Sequence, residues 1–288
     1  MKKIALTSLI AMFAFAGAHA ANVIDGNPLY MPKKGHFYSV TDVNSHTDKF
    51  ANGDKQINTW ALGEEFGYGV TDKLMVTVNT DFVENEDFND FTWGNLGLNV
   101  TFRAFDMKGW KADAVVAYEA GTNPRGIGGL YVHHKTPKTN DWFEKDLTGY
   151  TWTAGVRGGY VASNWTVAGH AMFDYMNSES FNLGDKGLHE WRLGMDAQYV
   201  LSPKVSLLAG VEYTGITNDK WAYDDIEFGD VKNAGKWAGE FGVNYNIDAT
   251  KFVGVYVNGS LNHNGGTSAD EWEWDKGFGF GAKFGIDF

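Results

Sequence analysis

The sequence predicts a closed, all-β antiparallel transmembrane barrel of about twelve strands. Three features predict it: tryptophan and tyrosine paired at a fixed spacing, period-two alternation along the chain, and connections that alternate short and long. The pairs are Trp60 and Tyr68, Trp110 and Tyr118, Trp152 and Tyr160, Trp191 and Tyr199, and Trp237 and Tyr245, each eight residues apart. Even spacing puts both rings on one face of a strand. At about 3.3 Å per residue and a tilt of about 40°, eight residues rise roughly 20 Å, close to the apolar band of a membrane barrel. Both rings suit a membrane edge, because the ring body is apolar while its N–H or O–H stays wet. A soluble sandwich with aromatic core positions is the competing explanation, and the two chain ends argue against it.

Residues 1–20 have the form of a signal peptide, with Lys2 and Lys3, an apolar run from Ile4 to Ala16, and Ala18-His19-Ala20 as a cleavage signal. A mature chain beginning at Ala21 is expected, with 21–34 as a periplasmic segment and 35–288 as the barrel. Strands are expected at 35–43, 57–69, 73–83, 91–105, 110–120, 149–161, 164–175, 188–200, 204–215, 234–246, 250–262 and 277–288, where apolar and polar residues alternate. Short connections centre on Thr71-Asp72, Met107-Lys108, Ser163-Asn164, Ser202-Pro203 and Asp248-Ala249. Long ones cover 44–56, 84–90, 121–148, 176–187, 216–233 and 263–276. Tight periplasmic turns and larger external loops are the pattern of an outer-membrane barrel. In the last strand Phe278, Phe280, Ala282, Phe284, Ile286 and Phe288 share one face, opposite glycines, Lys283 and Asp287.

Composition narrows the function classes. There is no cysteine, so disulfides and thiolate metal sites are excluded, and five prolines against thirty-six glycines suit many strands with tight turns. Mean hydropathy is negative, as expected when half of every strand faces water. A formal charge of −12, from 24 basic and 36 acidic residues, argues against nucleic acid as a partner. No repeated blade motif supports a propeller.

The export signal, the stretch Gly67-Tyr68-Gly69-Val70-Thr71-Asp72-Lys73-Leu74 and the ending Phe284-Gly285-Ile286-Asp287-Phe288 resemble Gram-negative outer-membrane β-barrel proteins of the porin type. The resemblance covers essentially all of the mature chain. It implies a multi-pass barrel in the cell outer membrane, in contact with its lipids and lipopolysaccharide, with Phe284, Ile286 and Phe288 read by the barrel-assembly machinery. Position 283 is lysine where the commonest pattern has glycine.

With the aromatic parity facing lipid, the opposite parity lines the lumen. The charged lumen set is Glu65, Asp81, Arg103, Lys111, Asp113, Glu119, Arg157, His170, Asp174, Glu190, Arg192, Asp196, Glu212 and Glu240. Thr77, Asn79, Asn95, Asn99, Gln198, Asn244, Asn258 and Lys283 join it. Charges of both signs across a narrow wall orient dipolar solutes and still pass ions. The same residues could instead brace or plug the barrel, since twelve strands lie between barrels filled by side chains and barrels with an open passage.

Two clusters follow from folding the hairpins. Arg103, Lys111 and Asp113 should meet near the periplasmic mouth. His170, Asp174, Glu190 and Arg192 should lie on neighbouring strands, with the acidic pair nearest the outside. An enzymatic use would make His170 a base oriented by Asp174, but alternation places no serine beside it and no phospholipase or protease motif is present. Glu64 falls on the lipid parity, where a carboxylate is costly, so a bulge or local parity change is expected there. His189 shares that parity near the headgroup level.

In the loops, Arg125, His133, His134, Lys135, Lys138 and Lys145 could form a constriction, touch lipopolysaccharide phosphates or be simply solvated. Adjacent histidines point to opposite faces of a strand, so His133-His134 is a weak metal signal. Asp219, Asp224, Asp225, Glu227 and Asp230, then Asp270, Glu271, Glu273 and Asp275, lack the ligand order of a calcium loop. No metal or cofactor is expected. The expected function is a passive channel for small hydrophilic solutes or ions, weakly cation-preferring. The alternative is an enzymatic, structural or adhesive barrel acting through its external loops.

Overall fold

The computed structural model describes residues 26–49, 56–84, 91–121, 149–178, 188–216, 220–223, 226–230, 235–263 and 274–288. The signal-peptide expectation and nearly all of the 121–148 loop lie outside them, as do Asp219, Asp224, Asp225, Asp270, Glu271 and Glu273. The strands are β1 (Phe37–Lys49), β2 (Gln56–Thr71), β3 (Leu74–Glu84), β4 (Phe91–Met107), β5 (Trp110–Gly121), β6 (Gly149–Val161) and β7 (Trp165–Ser178). They continue with β8 (Leu188–Ser202), β9 (Val205–Ile216), β10 (Lys220–Tyr223), β11 (Ile226–Asp230), β12 (Gly235–Asn246), β13 (Lys251–His263) and β14 (Trp274–Asp287).

Twelve of these close into an antiparallel barrel. Each pairs with its neighbours in sequence, except that β9 pairs with β12 past a separate two-stranded β10–β11 hairpin, and β14 returns to β1. Closure leaves no row of unpaired backbone groups in hydrocarbon, where each would cost several kcal/mol. The hairpin within the 216–233 connection was not expected, since its short acidic segments carry no clean alternation.

Alternation decides which side of the wall each side chain takes. Phe66, Leu98, Phe102, Val156, Leu193, Val255 and Phe280 are exposed on the outer face. All ten paired tryptophans and tyrosines share that face, and they build two aromatic rows. Near the long connections Tyr118 packs on Trp152 at 4.7 Å and Tyr213 on Trp237 at 4.9 Å, while near the short turns Trp110 packs on Tyr160 at 5.2 Å. Phe288 stacks on Phe37 at 4.6 Å where the sheet closes. His189 lies in the upper row, stacked with Phe173 at 5.9 Å.

The turn between β4 and β5 shows how local sequence sets register. Lys108 and Gly109 have φ of 52° and 86°, the pair of positive values that matches a two-residue hairpin turn to strand twist. The turn therefore centres one residue later than expected. A register shift between Arg103 and Phe105 then brings Asp106 inward to Lys111 at 2.6 Å while Phe105 stays outside.

Glu64 departs from expectation. No bulge rescues it: pairing runs without a shift from Phe37 opposite Tyr68 to Lys49 opposite Gln56. The carboxylate stays on the outer face between exposed Leu62 and Phe66, four residues from both Trp60 and Tyr68. Its lone pairs are met locally instead, because the Ser39 and Thr41 hydroxyls donate to its two oxygens. Stripping both donors with Ser39→Ala and Thr41→Val should lower unfolding stability in detergent micelles by about 1–3 kcal/mol. Adding Glu64→Leu to that pair should restore most of the loss, since replacing all partners by apolar groups is nearly neutral. Equal urea midpoints for the double variant and the parent would show that these bonds contribute nothing.

Candidate functional site: a charged lumen with a filled floor

The inner face is not uniform along the barrel. Near the short turns it is packed like a protein core: Tyr38, Met75, Val115, Ala168, Val200 and Phe252 are buried, together with Thr77, Thr101, Asp113, Thr166, Gln198, Ser206 and Asn244. At the centre of this floor sits Leu29, 1 % exposed, with Pro32 also fully buried. The segment expected to lie beneath the barrel as a periplasmic extension thus has residues 26–32 seated inside its turn end.

Local chemistry shapes this segment. The Asn27 side chain accepts the Leu29 N–H at 3.0 Å and its carbonyl accepts the Tyr30 N–H at 2.9 Å, closing a turn in which Pro28 presets the backbone. A second turn at the barrel rim joins the segment to β1, with the His36 N–H donating to the Lys33 carbonyl and the Gly35 N–H to the Gly69 carbonyl at 2.8 Å. Gly69 must be glycine there, because a Cβ would come within 2.2 Å of the Lys33 carbonyl oxygen. Tyr30 packs edge-on against Tyr38 at 5.6 Å and donates to Asp287 at 3.2 Å. Burial, with Asp287 beside it, holds its phenol well above the ordinary tyrosine range, so it remains a donor.

The first expected cluster closes on this segment. Asp113, with no side-chain exposure, accepts Arg103 Nε at 2.6 Å and Arg157 Nε at 2.8 Å. The remaining guanidinium donors reach the chain: Arg103 to the Leu29 carbonyl at 2.7 Å and Arg157 to the Tyr30 carbonyl at 3.2 Å. Lys111 stands aside on Asp106. Arg157 was not expected in this cluster, although it lies directly opposite Asp113 across β5 and β6.

Above the floor is a cavity of about 860 Å³, whose lining includes Gly26, Asn27 and Pro28 from the segment. Its polar wall includes Asn79, Asn99, Glu119, Arg157, His170, Arg192, Asp196, Glu212, Glu240, Asn258 and Lys283. Glu65 accepts the Tyr38 hydroxyl at 2.7 Å, and Asp81 lies opposite Gly63 on the same inner face. Asn95 pairs with Asp81 across β3 and β4.

In the second cluster Asp174 lies directly opposite Glu190, and both are nearly buried. Arg192 donates to Asp174 at 2.6 and 3.2 Å and stands 3.7 Å from Glu212. Thr153 gives Asp174 a further hydroxyl. His170 is not oriented by Asp174. Its ring lies over Gly194, and its two nitrogens face Asp196 at 3.2 Å and Glu212 at 2.8 Å across neighbouring strands. Among the described residues the ring is held between these two carboxylates, so Asp174 is not the group that orients it.

Other lumen residues escaped sequence reading. β1 continues six residues beyond its expected end, which places Asn44 and His46 on the cavity wall. Tyr256 donates to both Asp42 oxygens at 2.9 Å, and Lys283 sits 4.5 Å from the centre of its ring while 3.6 Å from Glu240. The Val253, Val255 and Val257 alternation already required Tyr256 to point inward, which is the signal that could have found it.

No family model and no curated protein sequence matches the chain. Among solved structures, an outer membrane channel from Pseudomonas putida F1 superposes with a TM-score of 0.57 at 14% identity, covering 93% of this chain and 100% of the other. The NanC porin superposes with a TM-score of 0.50 at 8% identity, covering 83% of this chain and 98% of the other. At such identities the likeness concerns architecture: this chain has the closed, twelve-stranded fold of an outer-membrane β-barrel.

Proposed function

We propose that the chain is a porin-like channel of a Gram-negative outer membrane, passing small hydrophilic solutes or ions with a weak preference for cations. The observation that carries this reading is the open space inside a lipid-compatible wall: a cavity of about 860 Å³ lined by amides and by charges of both signs. The outer face supports the location, since exposed apolar side chains lie between two aromatic rows that suit headgroup levels. Membrane lipids and lipopolysaccharide are then its surroundings, and Phe284, Ile286 and Phe288 its signal to the assembly machinery. Two of the structures on which the chain superposes are a channel and a porin, which agrees with transport. An enzymatic role finds no support in the surroundings of His170.

Cation preference follows from charge balance. Among the described inward residues, Arg103 and Arg157 are both turned onto Asp113, Arg192 onto Asp174 and Lys283 towards Glu240. Asp196 and Glu212 face His170, and Asp42, Glu65, Asp81, Glu119 and Glu190 add further negative charge, which a low-dielectric wall focuses into the lumen. Single-channel recording of refolded, heat-modifiable protein in planar bilayers tests the reading, with stepwise conductance as the expected result. Replacing Asp174→Asn with Glu190→Gln should move the zero-current potential in a salt gradient towards anion permeability, less so at high ionic strength. Conductance that ignores the double change would reject this patch as the filter. A folded protein that carries no current, with or without residues 26–34, would defeat the channel itself.

A further inference from the structure

We propose that residues 26–34 are a built-in stopper for this lumen, seated in the closed state and swung out about the rim turn at Lys33–His36 when the channel conducts. The inference rests on the channel reading and adds its regulation. Gly26, Asn27 and Pro28 line the cavity and the next residue, Leu29, is buried among the inward side chains of the turn end, so the segment occupies that end of the lumen. Its seat is shaped for it: the Arg103 and Arg157 guanidinium groups donate to the Leu29 and Tyr30 carbonyls while Leu29 fills the floor.

Two features make the seat reversible. Asp113 stays between both arginines and Asp106 stays 3.6 Å from Arg103, so departure of the segment removes two carbonyl acceptors but leaves each guanidinium beside a carboxylate. The floor is also imperfectly satisfied. Gln198 beside Gly26, Thr166 opposite it on β7 and Ser206 on the adjacent β9 are buried with side-chain polar atoms that have no hydrogen-bond partner among the described residues. Water entering as the segment leaves would meet those groups, offsetting the loss of Leu29 burial. The pivot is separately anchored. The Gly69 N–H donates to the His36 carbonyl at 2.9 Å and the Lys34 N–H to Asp72 at 3.1 Å, contacts at the barrel rim that do not depend on Leu29 being seated.

A disulfide lock tests this in a chain with no cysteine of its own. A Cβ at Gly26 would lie 2.5 Å from Gln198 Nε2 and 3.2 Å from Gln198 Cδ, so Gly26→Cys with Gln198→Cys puts two thiols at neighbouring positions of the seat. In planar bilayers the oxidised pair is expected to carry no current, and dithiothreitol is expected to restore it. Deleting residues 26–34 should raise the fraction of time open. Equal current from oxidised and reduced protein would overturn the stopper and leave the channel standing. A deletion variant that is heat-modifiable yet silent would overturn the channel, and this inference with it. Should the deletion variant fail to assemble, the oxidised and reduced currents decide by themselves.

Discussion

Asp113→Ala is expected to lower unfolding stability by about 3–5 kcal/mol, the cost of leaving buried charge without its partner. Among the described residues Asp113 is the carboxylate that lies between Arg103 and Arg157, and its own side chain has no exposure. Arg103 keeps a contact with Asp106 at 3.6 Å, but that group is solvated and already engaged by Lys111. Urea unfolding in micelles, followed by tryptophan fluorescence, should show the loss as an earlier midpoint at an unchanged slope. A triple replacement, Arg103→Met, Asp113→Leu and Arg157→Met, should regain most of it, because a packed apolar trio removes the charges together. A single variant within about 1 kcal/mol of the parent would mean that water already screens this cluster.

Val255→Arg should cost about 2–4 kcal/mol at the membrane midplane, whereas Asn258→Arg should be mild. Val255 is 62% exposed on the outer face, paired with Val243 and Ala282, so an arginine there must face hydrocarbon or bend its strand. Asn258 takes the opposite parity. It lines the cavity with its amide oxygen 3.3 Å from His46 Nδ1, and a longer side chain at that position reaches water. Folding yield into vesicles and urea midpoints should separate the two variants clearly. Equal tolerance would place β13 one residue out of register.

Much of this fold is legible in the sequence because a wall one residue thick has only two sides. Once Trp60 and Tyr68, or Val253, Val255 and Val257, are placed outside, the intervening residues have no other option. The inward placement of Glu119, Arg157, His170 and Glu212 follows from that rule alone. What alternation cannot supply is the partner across strands. His170 and Asp174 lie two steps apart on one strand, yet the offset between β7, β8 and β9 delivers Asp196 and Glu212 to the ring instead. The far half of β1 was hidden because Asn44 to Lys49 is polar on both faces, and pairing with β2 and β14 holds it extended regardless. Glu64 broke the pattern without breaking the strand, since two hydroxyls on the neighbouring strand satisfy it. Residues 26–32 gave no periodic signal because the arginines grip backbone carbonyls, which every residue possesses.

The join between β1 and β14 has a consequence for the order in which the molecule can be made. Tyr30 reaches Asp287, and His36 meets the carbonyl of Phe288 at 3.1 Å, so the earliest part of the described chain is completed by the last. Contacts of such sequence separation form late, because the whole intervening chain must first be brought together. While the sheet is still open, the inner segment has neither its tyrosine anchor nor a complete ring around it. Sealing of the cylinder and seating of its floor therefore belong to one late event. Refolding followed by protection of the Phe37–Phe288 seam should register both at the same time constant.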